Sequence, residues 1–182
     1  MAMVVDREET GLVRLTREQY HAIPTEERTE LLDGLVFSLM GQSRRHFLTV
    51  RRLASLLAAR ASGFGHIQEQ GPIVTDIDGE PEPDVALVRG SEQQYLEHPH
   101  ASALSLVIEV SDYTLGKDRN RKSVLYARAG IPEYWVVDLV HDRIERRTRP
   151  LDGEYGFIET FRRGENIDGL PVDEILGPQE PA

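Results

Sequence analysis

The run LSLVIEV at 104–110 admits few environments. Both alternating sets of positions are apolar apart from Ser105 and Glu109, which marks a strand covered on both faces and therefore central in a sheet. Glu109 stands one residue from its end. Taking a carboxylate out of water costs several kcal/mol unless a cation or hydrogen-bond donors meet it. A polar loop, a helix, a tight turn and a second strand follow, up to Asp138. On that helix Asp118, Lys122 and Tyr126 recur at i, i+4 and i+8, the spacing of one helical side. Lys117 and Lys122 are the only lysines of the chain, every other basic residue being arginine. A lysine near a buried acid, where arginine is the default surface cation, points to its own chemistry.

At 182 residues the chain is expected to form one domain, 1–182, with a full core. The absence of cysteine removes disulfides, thiolate metal sites and thiol nucleophiles. No apolar run is long enough to span a membrane, and the first residues lack a basic-then-apolar leader pattern, so a cytoplasmic protein is expected. The net charge of −10 argues against a general nucleic-acid coat, but bases gather at 44–60, 117–122 and 143–149, which leaves room for a local basic lane.

Residues 1–15 read as a loose arm. Thr16 is placed to cap a short helix over 17–22. Asp33-Gly34 between apolar runs predicts a hairpin, Thr29–Leu32 with Leu35–Met40; a helical turn over 25–31 is the competing reading. Residues 43–61 form the clearest helix, with His46, Val50, Leu53, Ala54 and Leu57 on one face. Arg44, Arg45, Arg51 and Arg52 share the opposite face, as a solvated surface or as a stripe that tracks phosphates. Strands are expected at 66–69, 73–75, 84–88, 104–110, 133–138, 143–149 and 155–161, and a helix at 117–129 stopped by Gly130. The tail, 176–182, is expected to fray.

Asp84 opens one strand and Glu109 nearly closes the next. If the two pair antiparallel, the carboxylates meet. Two carboxylates with room for water and a phosphate suit Mg²⁺ or Mn²⁺ rather than zinc. Lys122 would orient the attacking water or offset charge growing on phosphoryl oxygens. An ion-pair network with Glu109 held by Lys122 would look the same in sequence.

EPDVALV at 82–88, LVIEVSDYT at 106–114 and DRNRKSVLYARAGIPEYWVVD at 118–138 resemble the Uma-two family of restriction-endonuclease-like proteins, within the PD-(D/E)XK nuclease superfamily. The likeness runs from about Leu15 to Leu176, and the block Gly130–Trp135 is its most specific part. It implies an α/β (α+β) restriction-endonuclease-like sandwich: a mixed central β-sheet flanked by helices, with an N-terminal hairpin and a C-terminal β extension. It also implies Asp84 and Glu109 as metal ligands and a catalytic lysine. The plain superfamily motif has that lysine two residues after the acid, where Ser111 stands here. In the family the lysine is taken to have moved onto the following helix, which implies Lys122; Lys117, at the first turn, is expected to face solvent. The resemblance further implies Glu30 as an extra acid and raises His46 as a site neighbour.

Asp118 is expected to pair with Lys122, Tyr126 to be interior with its hydroxyl bonded, and Trp135 to pack beneath the sheet. The leading functional expectation is a Mg²⁺-dependent endonuclease acting on DNA, with Arg44, Arg45, Arg51, Arg52, Lys117, Arg119 and Arg121 along the phosphate backbone. A non-cleaving module of the same fold and a metal phosphoesterase on small substrates are the alternatives. A homodimer would fit double-strand cleavage, which needs two sites.

Overall fold

The computed structural model describes residues 13–39, 41–76 and 78–178. Its centre is a six-stranded mixed sheet in the order β3-β4-β5-β6-β7-β8. The strands are β3 (Gly65–Glu69), β4 (Val85–Arg89), β5 (Leu104–Ser111), β6 (Glu133–Asp138), β7 (Arg143–Leu151) and β8 (Glu154–Arg162). Every neighbouring pair is antiparallel except β5 and β6, which run parallel. That parallel pair needs a crossover, and the helical segment after β5 supplies it. As its apolar run requires, β5 is interior to the sheet and all but one of its last seven residues are buried on a face.

Helices cover both faces, giving the α+β sandwich. On one side α2 (Arg44–Ala61) sets Val50, Leu53 and Leu57 against Val85, Ile108, Val110 and Trp135, together with Ile175 of the C-terminal α5 (Val172–Leu176). Trp135 is fully buried there, beneath the sheet as expected. On the other side Tyr126, Ala127 and Ile131 pack on Ala86, Val107, Tyr134 and Val136. The segment between β5 and β6 is α3 (Leu115–Lys117), a π-helical turn (Asp118–Lys122) and α4 (Ser123–Arg128). Gly130, at φ 74°, ends it.

The hairpin β1 (Thr29–Leu32) and β2 (Leu35–Ser38) turns at Asp33 and Gly34, φ 49° and 76°, the left-handed pair that a two-residue hairpin demands. A short α1 (Arg17–His21), capped by Thr16, precedes it. A small two-stranded ribbon, β9 (Asn166–Ile167) with β10 (Leu170–Pro171), leads into α5.

Several expectations change. The arm is not loose where it is described: the Leu15 N–H donates to Gly34 O at 2.8 Å and Arg14 Nη1 to Asp33 O at 2.6 Å. Residues 1–12 lie outside the described residues, as do Met40 and 179–182 of the tail. Strand β2 stops at Ser38. Residues 73–75 form no strand: Val74 makes an isolated parallel bridge to His100, and the Ile73 and Thr75 N–H groups donate to Pro81 O and Gly79 O. Leu176 is buried against the core and Gly177 O accepts from Arg163, so the tail does not fray at its start.

Candidate active site

The β4–β5 register sets Val85 opposite Ile108, so one step further Asp84 stands across from Glu109. The antiparallel pairing thus places these two residues opposite each other where the strands end. Asp84 Oδ2 accepts the Val110 N–H at 2.8 Å and lies 3.1 Å from His46 Nε2. Its Oδ1 has a long contact, 3.4 Å, with Gln70 Nε2. Glu109 Oε1 accepts from Lys122 Nζ at 2.8 Å and from the Tyr126 hydroxyl at 2.6 Å. Lys122 and Tyr126, four residues apart on the helix, thus reach one oxygen.

Glu30 on β1 is fully buried and closes the arrangement from the hairpin. Lys122 Nζ donates to Glu30 Oε2 at 2.9 Å and Lys117 Nζ to Glu30 Oε1 at 2.7 Å. Lys117 was expected to face solvent; instead the hairpin folds over it and supplies its partner. Asp118, expected to pair with Lys122, accepts from the Ser111 hydroxyl at 2.8 Å and from Thr114, while Lys122 acts on it through space. Both residues lie in the π-helical turn, and each is taken by other partners, Asp118 by the two hydroxyls and Lys122 by Glu109 and Glu30.

Charge here is unevenly matched. Burial pushes Glu109 well above the usual carboxylate range; Lys122 opposes this, but Asp118, Asp84 and Glu30 reinforce it. Burial also raises Asp118 in spite of Lys122 and the two hydroxyls. Burial works to raise Glu30 too, yet Lys122 and Lys117 outweigh it and hold Glu30 below its ordinary value. For Lys122 burial favours the neutral amine, but Glu109, Glu30 and Asp118 together hold the ammonium well above the usual range. Burial and then Glu109 raise Tyr126, so its hydroxyl stays protonated.

The cleft that these groups line has a volume of about 1150 Å³. His46, Asp84, Glu109 and Lys122 share it with the hairpin's Phe37 and the loop's Tyr113. Lys117, Arg119 and Arg121 line it also; Arg44, Arg45, Arg51 and Arg52 do not. Helix α2, packed on the other face of the sheet, reaches the cleft through His46 at its first turn, and its arginines point elsewhere. Arg45 is bound to Leu139 O and Asp142, and Arg52 reaches Leu176 O, while Arg44 and Arg51 are exposed. Arg119 is engaged by Asp138 and Glu145, and Arg121 lies over the Phe37 ring.

Sequence reasoning missed Glu82. Its N–H donates to Glu30 Oε2 at 3.2 Å, its carbonyl lies 3.5 Å from Lys122 Nζ, and its carboxylate is held by Arg28. The signal was present in Glu82-Pro83-Asp84, an acid two residues before the candidate ligand. Among the described residues no group of three or more acidic or histidine side chains forms a ready metal cage. The donors are nonetheless hard oxygens with a deficit of positive charge. Such a set fits an ion like Mg²⁺, which takes one or two carboxylates and keeps waters and substrate oxygens for the rest.

A family model described as "Putative restriction endonuclease", Uma2, matches residues 17–175. The chain belongs to this family. A solved structure from Anabaena variabilis ATCC 29413, described as "a putative nuclease belonging to DUF820", shares the fold at a TM-score of 0.70. Its identity is 14%, covering 89% of this chain and 97% of that one. No curated protein matches the chain. The Uma2 assignment and the mixed sheet agree with the resemblance carried by the Gly130–Trp135 block.

Proposed function

We propose that this Uma2 chain is a metal-dependent endonuclease that hydrolyses DNA phosphodiester bonds. One observation carries the reading: Asp84 and Glu109 face each other across the β4–β5 strand ends while the Lys122 ammonium bonds Glu109, all within one open cleft. Asp84 and Glu109 would hold Mg²⁺ or Mn²⁺. The bound ion would polarise the phosphate and lower the pKa of the attacking water.

The chain's own groups divide the remaining work. The Val110 N–H and His46 fix Asp84 through Oδ2, leaving Oδ1 the freer oxygen. Tyr126 orients Glu109 by donating to Oε1. Lys122, held as an ammonium, is no general base; it offsets negative charge as water forms a new P–O bond and the bond to the sugar oxygen breaks. Glu30 keeps that ammonium aimed through its own bond. Lys117 and Arg121 at the cleft wall are the proposed backbone contacts, with Arg119 in a lesser part because internal acids already engage it. Such contacts make binding weaken with salt. The cytoplasm is the proposed compartment.

A non-cleaving module draws support from a separate observation: Lys117, Lys122, Arg28 and Arg128 are all paired with internal acids. The test is supercoiled plasmid with Mg²⁺ or Mn²⁺, using wild type beside Asp84→Ala, Glu109→Ala and Lys122→Met. Nicking by wild type, reduced at least ~10²-fold in each variant, is the expected result. Equal nicking by all four, or no nicking together with no Mn²⁺ binding by calorimetry, would overturn the proposal. Turnover of a chromogenic phosphate ester without plasmid damage would transfer the site to small phosphoesters.

A further inference from the structure

Five of the six tyrosines share one use. Tyr20, Tyr95, Tyr126, Tyr134 and Tyr155 each donate the hydroxyl to an oxygen of the protein. Each also sets its ring against a second aromatic ring. Tyr113 does neither among the described residues, and it is 80% exposed. A single exposed aromatic side chain needs no explanation by itself. This one stands in the wall of the cleft that Asp84, Glu109 and Lys122 line.

Its backbone is fixed although its side chain is unused. The Tyr113 N–H donates to Asp112 Oδ1 at 2.7 Å, Ser111 O accepts the Leu139 N–H at 2.9 Å, and Thr114 O accepts the Asp118 N–H at 3.0 Å. The loop is thus tied to the end of β6 on one side of Tyr113 and to the π-turn on the other. A ring held this way has little backbone freedom left to lose when it binds. Four residues separate it from Glu109, a reach of at most ~14 Å along the chain. The hairpin supplies a second ring. Phe37 stands opposite Glu30 in the β1–β2 pairing, so the two side chains emerge on one face. The Arg121 guanidinium lies 5.2 Å from the Phe37 ring centre. With Lys117 also in the wall, rings and cations line one cleft together.

That combination suits a nucleic-acid strand out of its duplex: cations follow the phosphates and aromatic faces take the bases. A closed duplex offers only base edges in its grooves, since each base face is covered by its neighbours. The cleft volume, about 1150 Å³, is near that of a pocket enclosing one small molecule, room for a short run of a single strand. We infer that Tyr113 is a base-stacking residue and that the strand entering the cleft is unpaired there, so that the preferred substrate is single-stranded or locally melted DNA. The inference rests on the nuclease reading for the class of substrate. A base on Tyr113 would belong to a nucleotide close to the scissile phosphate.

Fluorescence anisotropy of a labelled single strand, and of the same sequence as a closed duplex, tests it with the full chain, in Ca²⁺ to hold back turnover. Wild type should bind the single strand more tightly. Tyr113→Ala should weaken that binding about tenfold, the loss of one stacked base, and leave duplex binding unchanged. Tyr113→Phe keeps the ring and should bind as wild type does. Melting curves of both variants should coincide with wild type, because the ring makes no contact in the fold. Single-strand binding indifferent to Tyr113→Ala would overturn the inference, as would a Tyr113→Phe variant as weak as Tyr113→Ala, duplex bound as tightly as single strand, or binding of neither. Any of these together with plasmid nicking by wild type would overturn the stacking role alone. Tyr113-dependent binding of single strands with no cleavage in Mg²⁺ would instead overturn the nuclease reading alone.

Discussion

Two buried charge clusters hang from the same π-turn, and they differ in balance. Lys122 turns toward Glu109 and Glu30. Arg119, three residues earlier, turns toward Asp138 and Glu145 on β6 and β7, at 2.8 and 2.6 Å. Around Asp138 and Glu145 the cations outnumber the acids. Arg143 and His141 also hold Asp138, and Arg147 holds Glu145 at 2.8 Å. The Val140 and His141 N–H groups fill the other Asp138 oxygen, each at 3.1 Å. Burial acts to raise both acids, yet these partners hold both below their ordinary values. Around Lys122 the sign is reversed: Glu30, Asp84, Glu109 and Asp118 exceed the lysines, and Glu109 and Asp118 rise. A saturated cluster fastens a helix to a sheet. An undersupplied one, open to a cleft, is where an added cation would be stabilised.

The largest effect expected from this contrast is on activity. Lys122→Met should reduce plasmid nicking at least ~10²-fold with the fold intact by circular dichroism. Asp138→Asn, in the saturated cluster, should leave the rate per folded molecule within about threefold, since less than ~1 kcal/mol of barrier is at stake. Equal losses in the two variants would break the distinction. Next in size is a stability effect of the opposite distribution. Asp138→Ala leaves two backbone N–H groups and two guanidinium groups short of an acceptor, and should cost about 2–3 kcal/mol, discounted because the arginines are partly exposed. For a chain of this length that is a fall of roughly 5–10 °C in melting temperature.

The two clusters also differ in how far the sequence revealed them. The apolar run around Glu109, the Asp33-Gly34 turn and the periodicity of 43–61 are local signals, and each led to the correct element. That Asp84 stands opposite Glu109 followed from strand polarity and needed only the antiparallel pairing that β4 and β5 adopt. What stayed hidden depends on distant parts of the chain. Lys117 is turned inward by a hairpin residue 87 positions away, and no local spacing encodes that bond. Arg119 reads as one more surface base until β6 and β7 are in place beside it. The arginines of α2 form a sound helical face, but only the order of the layers shows that this face lies away from the cleft.

Smaller, and opposite in sign to Asp138→Ala, is the expected effect of Glu109→Gln on the metal-free protein. The amide keeps the shape and removes a charge that burial disfavours, so the melting temperature at neutral pH should rise by ~2–4 °C, about 1 kcal/mol. A fall would mean that the Lys122 pair stabilises the fold more than desolvation of Glu109 opposes it.

The pH course separates the clusters most finely. Glu109 has its folded pKa above the unfolded value of 4.5, so the stability it contributes is complete below 4.5 and is lost as pH rises through the folded pKa. The advantage of Glu109→Gln should therefore vanish in acid and grow toward neutrality. Asp138 has its folded pKa below the unfolded value of 3.8; its contribution is complete above 3.8 and is lost as pH falls through the folded pKa. The deficit of Asp138→Asn should accordingly be full at neutral pH and shrink only below about pH 4. Melting curves of wild type and both variants from pH 3 to 8 give two difference plots, with the variant above wild type in one and below it in the other. Differences of one sign for both variants would show that the two clusters are matched in charge, and that the cleft holds no unmet demand for a cation.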